Sequence, residues 1–268
     1  MTTLYSIADR KSTWTRLPDL SKEVNAESQT KTLEQLPKED EQEKKDIYLG
    51  KGLQFITDKN LYDEIIIYLD KTFLSHKGTL SGKLSFDSVM KGSNSYIAVA
   101  VDMFLRQQGS RHRIATQRDL ETNLQMFKGC YEDTGLALRS TGFPNQSKAE
   151  YLHKQIKKLY PQLNFPIFAE LRGMELDSDL NFKITPQSRC KTADCLNWDN
   201  GTKYSQTDNY GLPKAKDASS SRQIWTIKDG LARLYLNRVL DLDSGDEGLS
   251  DSVDDGRVVL VSAGGGSP

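Results

Sequence analysis

"RQIWTIKDGLARLYLNRVLDL", residues 222–242, restores an apolar pattern after a long polar segment. Ile224, Ile227, Leu231, Leu234 and Tyr235 fall on one helical face, because residues three and four apart share a side of a helix. Asp229-Gly230 offers a second parse, a short strand followed by a helix that begins at Leu231. On either parse this is the last element of a core, and an acidic stretch follows it directly.

Helical spacing recurs upstream. "DKNLYDEIIIYLDKTFL" (58–74) places Leu61, Ile65, Leu69 and Phe73 together. "SNSYIAVAVDMFLRQQG" (93–109) starts on Ser/Asn caps and stops at Gly109. "TQRDLETNLQMFKGC" (116–130) has Thr116 as cap, with Leu120, Leu124 and Phe127 on one face. "SKAEYLHKQIKKLYP" (147–161) opens with the spacing of a capping box, Ser147 and Glu150, and ends at Pro161. "NFPIFAELRGMEL" (164–176) reads as a further short helix with Pro166 in its first turn. Only "DIYLGKGLQFIT" (46–57) reads as a strand or hairpin.

These elements predict a mainly α fold with minor β. The expected layout is a single compact helical domain over 47–240, preceded by a polar arm or linker at 1–46. A long irregular loop at 185–221 and an acidic, serine-rich tail at 241–268 complete it. Trp14 and Leu17 are isolated apolar residues in the arm and read as docking anchors.

Composition narrows the function. The chain has 268 residues, 37% of them hydrophobic, and a net charge of −1. That charge is uneven: −2 over 1–47, +7 over 48–240 and −6 over 241–268. A basic body between acidic ends suggests an anionic partner or an internal cover. Three cysteines, Cys130, Cys190 and Cys195, argue against a secreted disulfide scaffold. The N-terminus lacks the apolar core of a signal peptide, and the longest apolar run contains Asp102 and is too short for a membrane span. The expectation is an intracellular protein, cytoplasmic or nuclear, neither secreted nor membrane-spanning.

Catalytic and metal motifs fail on spacing. Counted as an EF-hand loop from Asp241, the acidic stretch puts Gly245 at position 5, where a ligand belongs, and Ser252 at the closing position 12. Cys190 and Cys195 make one zinc-like pair without a second. No G-x-S-x-G nucleophile turn and no phosphate-binding glycine loop occurs. "ELDSDLNFKI" (175–184) approaches a nuclease pattern but has Asn181 where a metal-binding carboxylate would stand. No enzyme and no cofactor is expected.

Two binding readings remain. Between Arg106 and Lys158 stand ten Lys/Arg against five acids. Arg106, Arg111, Arg113, Arg118, Lys154, Lys157 and Lys158 would form a face for RNA or single-stranded DNA. In the acidic stretch, Ser244, Ser250 and Ser252 precede carboxylates, the pattern an acidophilic kinase selects. "DSGDEGLS" (243–250) resembles, with longer spacing, the Asp-Ser-Gly…Ser motif read by ubiquitin-ligase adaptors when phosphorylated. Val258 and Val259 begin a β-prone run able to join a sheet, this protein's or a partner's. The favoured expectation is a non-enzymatic regulatory protein, for which a viral accessory or adaptor role is one fitting context. It would act by protein–protein docking, with phosphorylation tuning the tail. The nucleic-acid reading is the alternative. The sequence sets no oligomeric state and points to no membrane partner.

Overall fold

In the computed structural model, residues 52–262 are described; the polar arm with Trp14 and Leu17 lies outside them. The fold is mixed, 28% helical and 24% strand, so the expectation of a mainly α protein is overturned. Fourteen strands occur among the described residues: β1 (Leu53–Phe55), β2 (Ser85–Asp87), β3 (Val89–Lys91), β4 (His112–Ile114), β5 (Glu132–Leu138), β6 (Ile167–Glu170), β7 (Glu175–Leu176), β8 (Phe182–Lys183), β9 (Cys190–Thr192), β10 (Thr202–Lys203), β11 (Gln223–Thr226), β12 (Leu231–Leu236), β13 (Leu242–Ser244) and β14 (Val259–Ser262). The α-helices are α1 (Lys59–Thr72), α2 (Ser95–Gln107), α3 (Gln117–Glu121) and α4 (Gln146–Leu159).

A curled seven-stranded sheet in the order β10-β11-β13-β12-β5-β6-β9 is the backbone of the fold. Its pairings are antiparallel except that between β11 and β13. A second sheet runs β1-β14-β4. Residues 222–242 are thus two strands and the start of a third, and not a helix. The reason lies in burial. Leu231 packs into the cluster shared with α1, α2 and α4, and Leu234 packs into a second cluster on the other side. A strand covered on both faces shows a continuous apolar run, and its period of two disappears from the sequence. β6 repeats the lesson: Ile167, Phe168, Ala169 and Glu170 are all buried, and the expected helix at 164–176 is a strand leading to the β7–β8 hairpin.

The helices with legible caps formed as expected. Asn94 accepts from Ile97 N at 2.8 Å and starts α2, which is buried over most of its surface. Thr116 closes a capping box with Asp119 at the start of α3, although the helix gives way to a 3-10 turn at Leu124–Phe127. Thr116→Ala is expected to cost about 1 kcal/mol in a urea melt, the usual worth of such a cap. The Ser147–Glu150 box did not form. α4 begins two residues earlier, after Asn145 in the left-handed region at φ 60°, and the Asn145 amide donates to Leu231 O and Glu247 O, both at 2.8 Å.

The two remaining segments are also corrected. Residues 185–221 hold β9 and β10 and contribute buried Tyr204 and Leu212 to the second cluster, so the segment covers one face of the sheet. The acidic stretch is no tail. It supplies β13 inside the large sheet and β14 in the middle of the small one, and Val258 and Val259 are buried. With β1 on one side and β4 on the other, β14 has no edge to offer a partner's sheet. Among the described residues no helix is long and apolar enough to cross a membrane.

Candidate functional site

β5 carries a sequence no pattern flagged, "EDTGLAL", and all seven of its residues are buried. Asp133 lies fully buried beneath the N-terminus of α2, where Ser93 Oγ (3.2 Å) and Ser95 Oγ (3.4 Å) donate to it. Arg233, from the neighbouring β12, completes the node through Nε (2.8 Å) and Nη2 (2.6 Å). Burial works against the arginine's charge, yet the facing Asp133 carboxylate holds the guanidinium firmly protonated. A bulge between Leu234 and Tyr235 shifts the β12–β5 register, and Arg233 lies over the Tyr235 ring at 4.5 Å and the Tyr131 ring at 5.2 Å.

The third nitrogen of Arg233 reaches the acidic stretch. Nη1 donates to Asp251 O at 3.0 Å and pairs with Asp246 at 3.3 Å. The segment 246–256 is fastened further along. Asn94 Nδ2 donates to Ser250 O (3.1 Å), Ser93 N to Ser252 Oγ (3.0 Å), and Val253 N to Tyr131 OH (3.0 Å). Gly256 O accepts from Gly92 N at 2.9 Å, and any side chain at Gly256 would meet Ser93 N at 2.6 Å.

Between this strap and β12 opens a cleft of about 360 Å³. Tyr131 and Tyr235 form its aromatic wall. Val239 and Val253, 71% and 60% exposed, stand at its rim. Asp243, Asp246, Asp251 and Asp255 supply four carboxylates against Arg233 and Arg238. Both arginines are engaged, Arg238 with Asp255 at 2.8 Å, and Asp255 Oδ1 has no partner. Burial pushes the Asp243 carboxyl above its ordinary range, against the Gly245 amide that donates to it. The Tyr235 phenol is raised as well, by burial first and then by Asp243. The lining therefore carries surplus negative charge beside aromatic and aliphatic surface.

The residues singled out in the sequence meet different fates. Ser244 is fully buried; its Oγ donates to Trp225 O (3.0 Å) and accepts from Arg139 Nη2 (2.6 Å). A kinase cannot reach it in the folded chain, and the Asp-Ser-Gly…Ser resemblance loses its first serine. Ser250 and Ser252 are half-buried on the strap. The basic residues do not gather into one exposed face. Arg113 is buried against Asp119 at 2.6 Å, and Arg106 serves Asp102 and Met174 O. Arg118 donates to Asp208 O, and Lys157 closes the end of α4 on Pro161 O and Leu163 O. Arg111, Lys154 and Lys158 are exposed, the two lysines together on α4. Cys190 and Cys195 are buried free thiols, each pushed up to about 12 by burial. Among the described residues no three His, Cys, Asp or Glu side chains converge as a metal site would need.

The node residues Tyr131, Asp133, Arg233 and Tyr235 escaped the sequence reading. One signal was present: an arginine inside an apolar run, "LARLYL", demands a buried carboxylate somewhere in the fold. No protein-family model, curated protein or solved structure matches the chain. The class is thus defined by geometry, a mixed helix-and-sheet protein whose curled sheet and acidic strap enclose an anionic, part-aromatic cleft.

Proposed function

We propose that this protein is a non-enzymatic interaction protein that docks a short basic segment of a protein partner in the cleft between β12 and the 246–256 strap. One observation carries the reading: four carboxylates face two arginines that are already committed, beside exposed Val239 and Val253. An arginine or lysine flanked by an apolar residue satisfies both features, the cation against Asp243 and Asp255 and the apolar neighbour against the valine rim. Tyr131 and Tyr235, whose rings already carry Arg233, back the cleft with apolar surface.

The test is fluorescence anisotropy with labelled peptides in which Arg, Lys or Gln stands between leucines. Arg and Lys peptides are expected to bind, the Gln peptide about tenfold more weakly, with affinity falling as salt rises. Asp243→Asn and Val253→Ser should each weaken binding while leaving the circular dichroism spectrum unchanged. Because the Asp243 carboxyl is raised by burial, binding should decline on acidification while ordinary carboxylates are still charged. Equal binding of Arg and Gln peptides, or binding untouched by Asp243→Asn, would refute the reading. Retention of RNA in place of basic peptides would point to the exposed Arg111, Lys154 and Lys158.

A further inference from the structure

The strap that walls the cleft is fastened through backbone groups and through the carboxylates of Asp246 and Asp255; one more fastening, Ser93 N to Ser252 Oγ at 3.0 Å, runs through a strap hydroxyl open to covalent change. Ser252 is half-buried, with exposed Asp251 and Val253 on either side, and Asp254 and Asp255 stand two and three residues downstream. Of the three serines in the stretch, Ser244 is sealed in the sheet. Ser250 lacks the paired downstream acids at those positions, having Ser252 and Val253 there. Ser252 alone combines access with the acidic context.

The surroundings decide what a phosphate would do. The hydroxyl oxygen sits against the start of α2, and a Cβ placed on Gly92 would already lie 3.2 Å from it. Esterified to phosphorus, that oxygen loses most of its strength as an acceptor for Ser93 N. Asp251, Asp254 and Asp255 neighbour it in the chain, and the two arginines that line the same cleft are taken up, Arg233 by Asp133 and Asp246 and Arg238 by Asp255. A group carrying roughly −2 is repelled by the carboxylates of the strap, and the positive end of α2 offsets only part of that repulsion.

We infer that Ser252 is a phosphorylation-controlled latch. An acidophilic serine kinase transfers the γ-phosphoryl group of ATP to Ser252 Oγ, with ADP and the hydroxyl proton as the other products. The bond to Ser93 N breaks, the strap leaves the N-terminus of α2, and the wall of the cleft is lost. As a means of regulation this rests on the docking reading above; as a structural switch it does not.

The experiment treats the full chain with an acidophilic serine kinase and ATP and locates phosphate by tandem mass spectrometry. Phosphate is expected on Ser252, retained in Ser250→Ala and absent from Ser252→Ala. Amide hydrogen exchange over 248–256 should quicken about tenfold on phosphorylation, with β12 unchanged. Binding of the Arg peptide should weaken in parallel. No phosphate on Ser252, or phosphate there with exchange over 248–256 unaltered, overturns the latch. Faster exchange with no peptide bound in either state upholds the latch and counts against docking.

Discussion

Replacing Arg233 with methionine is expected to destabilise the fold by about 3–5 kcal/mol, the cost of stranding a buried charge without its partner. Among the described residues, Asp133, fully buried, would keep Ser93 and Ser95 alone as side-chain donors. The strap would lose its anchor at Asp251 O and its pairing with Asp246. Urea denaturation should show a lower midpoint with an unchanged slope, since the surface exposed on unfolding stays the same. The double variant Arg233→Met with Asp133→Asn should recover a large part of the loss, because the stranded charge is gone. If Arg233→Met alone costs less than about 1 kcal/mol, comparable to a surface ion pair, the node does not hold the fold together.

Glu132, beside Asp133 on β5, points the other way. It is fully buried, neither carboxylate oxygen makes a hydrogen bond of normal geometry, and it lies beside an apolar cluster that includes Cys130, Leu236 and Val259. Burial pushes its carboxyl well above the ordinary range, opposed by the Val259 amide and Arg257. A folded-state value above the unfolded one means that the folded chain holds the proton longer. This contribution to stability is therefore fully present below the ordinary carboxyl range and is lost as pH rises toward the folded value. Glu132→Leu is expected to raise stability at pH 7 by about 1–3 kcal/mol, the cost of an unsatisfied buried polar group. It should also flatten the decline between acidic and neutral pH. Thermal melts of both proteins from pH 4 to pH 9 check this; curves that stay parallel would mean that Glu132 is already satisfied.

What could be read from the sequence was local. Asn94 and Thr116 announced their helices because a cap is made within three residues. β1 and α1 were legible from the spacing of neighbouring apolar residues. β5 was not, because Glu132, Asp133, Thr134 and Gly135 look like a turn. They belong in a central strand only because distant residues make them fit. Arg233 and the α2 serines satisfy Asp133, and the Phe168 ring lies where a Cβ on Gly135 would come within 2.1 Å of it. β12 was mistaken for a helix because both of its faces are covered, which erases the alternation. The acidic stretch looked like a solvated tail since its partners lie outside it, Arg233 and Arg238 on the preceding strand and turn and Asn94 and Tyr131 far away in sequence. Charge excess over 106–158 proved a poor guide to a surface, because Arg113 and Arg106 spend their charge inside the fold.

That the acidic stretch is built into both sheets, and so shapes the cleft, is tested most directly by amide hydrogen exchange on the full chain. Leu242–Ser244 and Val259–Ser262 are expected to exchange as slowly as the central strands β5 and β12, with 246–256 intermediate. Exchange of 242–262 at the rate of an unstructured peptide, while β5 stays protected, would contradict the account.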